Sequence, residues 1–369
     1  MMTAQYTVNL GERSYPVYIG ADLGSLIAPK CIEHDISKST VIITDTHVAP
    51  LYMPLLVNSL QHHGFAVQSI VIPPGERQKS LRRAGMLYTE LLRRAVDRKS
   101  ALIALGGGVI GDLSGFIAAT YQRGIPLVHI PTTLLAQVDS AIGGKTAVNH
   151  SLGKNMIGSF YQPKFVWEDI AVLATLPFRE IVCGMGEVVK YGIIRDKDLF
   201  AFLEDHLEAI LRCSREELLF AQSHCMAVKT DIVSQDEFEQ NIRIILNAGH
   251  TVGHALESAG HYRVLKHGEA ILLGLTAESY IAQKLGILPV ESYERITRLI
   301  NRIPLKANVS SLRIPEILSA LQWDKKRVGK KVRFVLPKSI GETVVVDEVD
   351  SRLVREAVKT VISFVVRGS

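Results

Sequence analysis

Between residues 40 and 175 short β-branched runs alternate with amphipathic stretches, and this alternation confines that part of the chain to folds built on a parallel sheet. The order is TVIITD, HVAPLYMPLLVNSLQHHG, VQSIVIP, LRRAGMLYTELLRRAV and ALIALGGG, strand and helix by turns. VIGDLSGFIAATY, PLVHIPTT and FVWEDI continue the series, so a mostly parallel sheet with helices on both faces is expected. Past residue 177 strands vanish, and residues 178–300 carry three- and four-residue helical spacing, as in LEDHLEAILRCSREELLFAQSHCMAVKTDIV. One exception is VRFVLPKSIGETVVVDEV, whose alternating runs around Gly341 predict a small hairpin. The expected architecture is an α/β domain of nucleotide-binding type over residues 1–177 and a mainly helical domain over 178–369.

The length of 369 residues agrees with two domains. Lys and Arg number 42 against 37 Asp and Glu, a net charge of +5 without the basic block that marks a nucleic-acid tail. The best apolar window, residues 101–119, is interrupted by Gly106 to Gly108, Asp112 and Ser114, so neither nucleic acid nor a membrane is expected as a partner. Cys31, Cys183, Cys213 and Cys225 are too scattered for a disulfide framework or a cysteine zinc site, which predicts a reducing, cytoplasmic location.

ALIAL runs into Gly106, Gly107 and Gly108 and then a helix through Gly111 and Asp112. Glycines let the backbone approach a ligand, and the free N–H groups and dipole of the following helix favour a phosphate; a plain strand-to-helix turn explains the triplet as well. Asp45, closing TVIITD, could accept from ribose hydroxyls or cap a helix. Pro74-Gly75-Glu76-Arg77-Gln78-Lys79 offers another polar loop at the same sheet edge, and three such loops favour a nucleotide.

In EQNIRIILNAGHTVGHALESAGH, helical steps place Glu239, Arg243, Asn247, His250 and His254 on one face of a single helix. Solvated faces are usually built from Glu, Lys and Gln, so this stripe reads as functional, with His250 and His254 an i,i+4 metal pair and a third ligand from His267 or Glu187. Glu187 and Lys190, three apart, read on spacing as a surface ion pair worth about 0.2–0.5 kcal/mol. Asp139, Lys145, Lys154 and Asn155 lie among glycines, with Arg123 a little earlier, a pattern suited to an anion and also to a surface loop. Lys325 and Lys326 alone read as solvent-facing.

Taken together, GGGVIGDLSGF, PTTLLAQVDSAIGGKTAVNHSLGKNMIG, GMGEVVKYG, LNAGHTVGHALE, KHGEA and WDKKRVGKKVRFVLP resemble the 3-dehydroquinate synthase family, between residues 40 and 347. The resemblance implies an α/β N-terminal Rossmann-like domain with a mainly α-helical C-terminal domain, a homodimer, bound NAD, and one divalent metal, zinc or cobalt. It implies metal ligation by Glu187, His250 and His267, and leaves His254 on the substrate side, against the periodicity. Implied NAD contacts are Asp45; Pro74, Gly75, Glu76, Arg77, Gln78 and Lys79; Gly108, Val109, Ile110, Gly111 and Asp112; Thr132, Thr133, Lys145 and Lys154; and Val172, Leu173, Ala174 and Thr175. Implied substrate contacts are Asp139, Lys145, Asn155, Lys190, Lys229, Glu239, Arg243, Asn247 and His254, one of Lys325 or Lys326, and Arg123 of the partner subunit. Two positions depart from the family pattern: Gly186 stands where Ala is common, and Ala248 where a bulky apolar residue is common.

The activity so implied is that of a carbon–oxygen lyase of the shikimate pathway, serving aromatic amino acid biosynthesis. Its substrate would be the small sugar phosphate 3-deoxy-D-arabino-heptulosonate 7-phosphate, converted to 3-dehydroquinate and phosphate by transient NAD oxidation, β-elimination, re-reduction and intramolecular aldol closure. The alternatives are another sugar phosphate cyclase, such as a 2-deoxy-scyllo-inosose synthase acting on glucose 6-phosphate, or a metal-dependent alcohol dehydrogenase. Glucose 6-phosphate lacks a carboxylate, so Arg243, Lys229 and Asn247 speak for the heptulosonate.

Overall fold

The computed structural model describes residues 2–307, 309–328 and 332–368, without the side chains of residues 2, 3, 310, 322–328 and 363–368. By their contacts these form two units, Met1–Leu176 with Leu218–Phe238, and Pro177–Glu217 with Glu239–Ser369. Leu218–Phe238 thus folds with the first unit, a return of the chain that a single cut after residue 177 does not express.

The strands of the first unit are β1 (Met2–Val8), β2 (Tyr15–Gly20), β3 (Ser39–Asp45), β4 (Ala66–Ile72), β5 (Ala101–Gly106), β6 (Leu127–Pro131), β7 (Lys145–His150), β8 (Gly153–Phe160) and β9 (Phe165–Asp169). Seven form one sheet in the order β1-β2-β9-β6-β5-β3-β4, parallel except for β1. β7 and β8 pair as a separate antiparallel hairpin, so the lysine-bearing segment read as a possible loop is largely strand. β1 and β2 precede the alternation that starts at residue 40 and add an antiparallel edge.

Helices α1 (Ile27–Glu33), α2 (Ala49–His62), α3 (Leu81–Arg93) and α4 (Gly108–Thr120) cover the sheet. Successive strand residues point to opposite faces, and here both faces are buried. Val41, Ile43, Leu102 and Ala104 pack with Leu87 and Leu91 of α3 and Leu113 and Ile117 of α4. Ile42, Ala101, Ile103 and Leu105 pack with Ala28 of α1 and Leu56 and Leu60 of α2. That two-sided burial is why these strands read as continuous apolar runs.

Parallel strands also send every following segment out at one edge. The residues after β3, β4, β5, β6 and β9 therefore emerge together, and they include 74–79, 107–112, 132–133 and 172–175. Between β3 and β5 the order reverses, because β4 is added outside β3 while β6 and β9 follow on the far side of β5. Open α/β sheets bind their ligands at such a switch point.

His129 of β6 is buried beside Gly111, and burial lowers its pKa from 6.5 to about 4. The unfolded chain takes up this proton near pH 6.5 and the folded chain only near 4, so the stability from a neutral His129 is complete above 6.5 and lost as pH falls through that window. At about 1.4 kcal/mol per unit the loss approaches about 3 kcal/mol. His129→Leu should flatten this acid limb, read as urea midpoints at neutral and acid pH; a pH response identical to the wild type would refute it.

The second unit opens with α5 (Phe178–Ile194) and α6 (Lys197–Leu211). Helix α7 (Arg215–Gln235) passes to the first unit from Leu218 onward. The chain then forms α8 (His250–Ala259), α9 (His267–Lys284), α10 (Val290–Asn301), α11 (Ile314–Val328), the hairpin of β10 (Arg333–Ser339) with β11 (Glu342–Asp347), and α12 (Ser351–Gly368). The hairpin turns at Gly341, as its alternation predicts, with φ 90°. Helix α9 is the axis of this unit, packed by α5, α8, α10 and α12. At its start a Cβ on Gly268 would run into the Cys183 carbonyl of α5, and the Gly268 N–H donates to Cys183 Sγ at 3.3 Å. Gly186 lies in the same crossing, where a Cβ would stand 2.5 Å from Gly268 O. Among the described residues no helix is long and apolar enough to cross a membrane.

Candidate active site

The single helix face expected from Glu239 to His254 does not form. Ile242–Asn247 is a 3-10 segment, Ala248 is extended, and Gly249 takes φ 78°, so α8 begins afresh at His250. A left-handed residue is cheap only for glycine and cannot continue a right-handed helix, which periodicity alone does not reveal. His250 and His254 keep their i,i+4 relation, with ring centroids 5.1 Å apart. Glu239, Arg243 and Asn247 come from the preceding segment, where Asn247 Nδ2 donates to Glu239 Oε1 at 2.9 Å and Arg243 is buried.

The second unit gathers a carboxylate and three imidazoles. Glu187 Oε1 lies 3.6 Å from His250 Nε2 and 3.6 Å from His267 Nε2. The other nitrogen of each ring is engaged: His250 Nδ1 donates to the Ala248 carbonyl at 3.1 Å, and His267 Nδ1 meets Glu257 Oε2 at 3.2 Å. Such partners set the tautomer and turn each Nε2 toward the shared carboxylate oxygen. Burial, with Lys190 and the neighbouring histidines, holds His250 well below the ordinary histidine value. Burial also pulls on His267, but Glu187 and Glu257 outweigh it and raise that ring to about 10.

One carboxylate and two imidazoles, each steadied from behind, are the donor set of a catalytic zinc site, and a divalent cation there would take the place of the His267 proton. The ligand atoms of His250, His254 and His267 also lie within 4.8 Å of one another, but His254 is exposed whereas Glu187 is fully buried. Glu187 also pairs with Lys190, and the two side chains are 0% and 1% exposed, so this is not the surface ion pair that spacing suggests. α9 covers it.

Two carboxylates of this site were not read from the sequence. Glu257 lies three residues past His254 and seven past His250, and that spacing along one face was its only signal. Glu278 of α9 is fully buried and accepts from the backbone N–H of Gly249 at 2.6 Å and of Val252 at 3.2 Å, capping α8 where His250 begins. Burial raises its carboxyl to about 8 against those donors. Nothing in its own helix marks it.

In the first unit the residues at the sheet edge form a second group. Asp45 Oδ1 accepts from the N–H of His47 and Val48, a turn ahead of α2 and not the helix cap that the sequence suggested, since the N-cap residue of α2 is Val48. Gly107 and Gly108 open α4 without a side-chain cap, a start suited to an anion. Lys79 is buried and pairs with Asp112, whose carboxyl is raised by burial in spite of that partner. Glu76 Oε1 accepts from Asn149 Nδ2 at 2.7 Å, and Asn149 Oδ1 accepts from the Asn155 N–H at 2.9 Å, so a residue not singled out in the sequence ties the 74–79 loop to Asn155. Tyr52 OH donates to the Val172 carbonyl at 3.0 Å and steadies 172–175. Lys229 pairs with Asp139. Lys145 and Asn155 are exposed on the hairpin and Arg123 at the turn after α4, while the side chains of Lys325 and Lys326 lie outside the described residues.

Two family models match, 3-dehydroquinate synthase N-terminal over residues 69–183 and 3-dehydroquinate synthase C-terminal over residues 184–327. A 3-dehydroquinate synthase of Desulforamulus reducens is 47% identical over 343 residues, 93% of this chain and 96% of that one. Among solved structures, a 2-deoxy-scyllo-inosose synthase complexed with carbaglucose-6-phosphate, NAD+ and Co2+ is similar at TM-score 0.86 and 27% identity, covering 97% and 99% of the two chains. A 2-epi-5-epi-valiolone synthase from Streptomyces hygroscopicus with NAD+ and Zn2+ bound gives the same TM-score of 0.86 and 27% identity over 96% and 98%.

Proposed function

The chain belongs to the 3-dehydroquinate synthase family, and on that premise we propose how its residues divide the conversion of 3-deoxy-D-arabino-heptulosonate 7-phosphate into 3-dehydroquinate and phosphate. The observation that carries the reading is the Glu187 oxygen held 3.6 Å from two imidazole nitrogens. The enzyme is a carbon–oxygen lyase with NAD and one divalent metal as cofactors. When bound, NAD supplies a reversible hydride acceptor and the metal lowers the pKa of the hydroxyls it binds.

Glu187, His250 and His267 would hold the metal. NAD is assigned to the sheet edge of the first unit: the pyrophosphate at the start of α4, with Asp45, the 74–79 loop, Thr132, Thr133, Lys145, Lys154 and 172–175 around the rest of the cofactor. Arg243 pairs with the substrate carboxylate, and Lys145, Asn155 and Arg123 of the partner subunit hold the phosphate before and after it leaves. Asp139, Lys190, Lys229, Glu239, Asn247 and His254 bind the sugar between those charged ends, with one of Lys325 or Lys326. Fixing both ends and excluding water lets the released enolate close on its own ketone. The family membership supports a homodimer, which the role given to Arg123 requires, and the scattered cysteines support a cytoplasmic site.

Relatives that act in other cyclisations stand at 27% identity, against 47% for the named 3-dehydroquinate synthase, so the glucose 6-phosphate reading is not favoured. The deciding assay is phosphate release from the heptulosonate with catalytic NAD, set against glucose 6-phosphate; release from the latter alone would overturn the proposal. Arg243→Ala should lower kcat/KM for the heptulosonate by about 100-fold or more, as truncating one partner of a buried charge pair does. A decarboxylated analogue should be indifferent to the exchange, and an equal fall for both substrates would remove Arg243 from that role.

A further inference from the structure

We propose that Gln137 and Gln222 are positioning residues that set the Lys229–Asp139 pair for substrate, an inference that rests on the substrate assignment above. α7 meets the π-helical turn Ala136–Ser140 at two places. Gln222 donates its Nε2 to Gln137 Oε1, and seven residues further along the same helix face Lys229 Nζ pairs with Asp139. Gln137 gives its own amide hydrogens to the Pro131 carbonyl at 3.1 Å and the Asp169 carbonyl at 3.0 Å, the last residues of β6 and β9. One fully buried side chain therefore joins the ends of two sheet strands to α7.

The consequence is geometric. Lys229 is a long, flexible side chain, and its charge is useful at one place only if α7 neither rolls nor slides. Contacts two turns apart on one helix face fail together under either motion. The same turn also abuts the cofactor edge, since a Cβ on Gly108 would stand 3.0 Å from Ser140 Oγ. Stability alone does not explain the pair: Gln222 is 0% exposed and its Oε1 is among the buried atoms that find no hydrogen-bond partner, a cost that an apolar contact would avoid.

A double-mutant cycle on the holoenzyme tests this, with the heptulosonate as substrate. Lys229→Ala should lower kcat/KM on its own. Gln222→Leu in the wild type should lower kcat/KM by about tenfold, mainly through KM, with NAD affinity unchanged, because contacting networks are not additive. In the Lys229→Ala background the same exchange should add less than about twofold. Equal losses in both backgrounds, or none in either, overturn the positioning role while leaving the substrate assignment in place. A Lys229→Ala enzyme with full kcat/KM overturns that assignment and this inference with it. Should Gln222→Leu not fold, Gln222→Asn, one methylene too short to reach Gln137, is carried through the same cycle with the same criteria.

Discussion

Glu187→Gln is expected to bring turnover below detection and, at the same time, to weaken the second unit. The first effect follows from removing the anionic donor that both Nε2 atoms face at 3.6 Å. The second follows from Lys190, which is 1% exposed and would lose its carboxylate partner. Breaking a buried ion pair from one side costs about 3–5 kcal/mol because it leaves an uncompensated buried charge, a cost that removing the second charge as well takes away. Glu187→Gln with Lys190→Met should therefore regain most of the lost stability and none of the activity. Spacing alone puts this pair on the surface, where the exchange would spare the fold. Urea unfolding, metal content and phosphate release, measured on all three proteins, separate the two effects. A Glu187→Gln enzyme that stays active in chelator would end the metal assignment, and one as stable as the wild type would mean that the Glu187–Lys190 pair does not support the fold of the second unit.

Glu257→Gln should weaken metal binding by about 10–100-fold, with turnover largely restored at saturating metal. Glu257 does not touch the cation in this reading; it holds His267 Nδ1 at 3.2 Å and makes that ring a better donor. A pH signature accompanies the loss. His267 is raised from 6.5 to about 10, so across that window metal binding must displace a proton, and wild-type affinity should rise about tenfold per pH unit. Without the Glu257 charge the ring is less basic and the slope should relax in the upper part of the window. Chelator competition from pH 7 to 9, followed by the visible absorption of a Co2+-loaded site, reads both quantities. Unchanged affinity and slope would reduce Glu257 to a packing residue.

Much of the site was legible because some chemistry is written in neighbouring residues. Gly106 to Gly108 after a buried strand announce a backbone-lined helix start, and Lys79, Asp112 and Asp139 sit in short polar segments between apolar runs. His250 and His254 share a helix, as their spacing says. Glu187 and His267 are another matter: 80 residues separate them, the residues alone offer them only as alternatives for a third ligand beside His250 and His254, and only the family resemblance put both in one ligand set before the fold did. Glu278 was silent, because its partners are backbone N–H groups of another helix.

What the amino-acid order determined by itself were the elements: the parallel sheet, the switch to helices after residue 177 and the hairpin at Gly341, each encoded by burial periodicity and turn chemistry within a few residues. What only the tertiary structure decided were the break at Gly249, the burial of Glu187 with Lys190, the return of Leu218–Phe238 to the first unit and the carboxylates behind the histidines. The physical reason is range. A backbone torsion or an amphipathic face is set by near neighbours, whereas exposure and a side chain's partners depend on which distant element packs over it, as α9 does over α5 and α8.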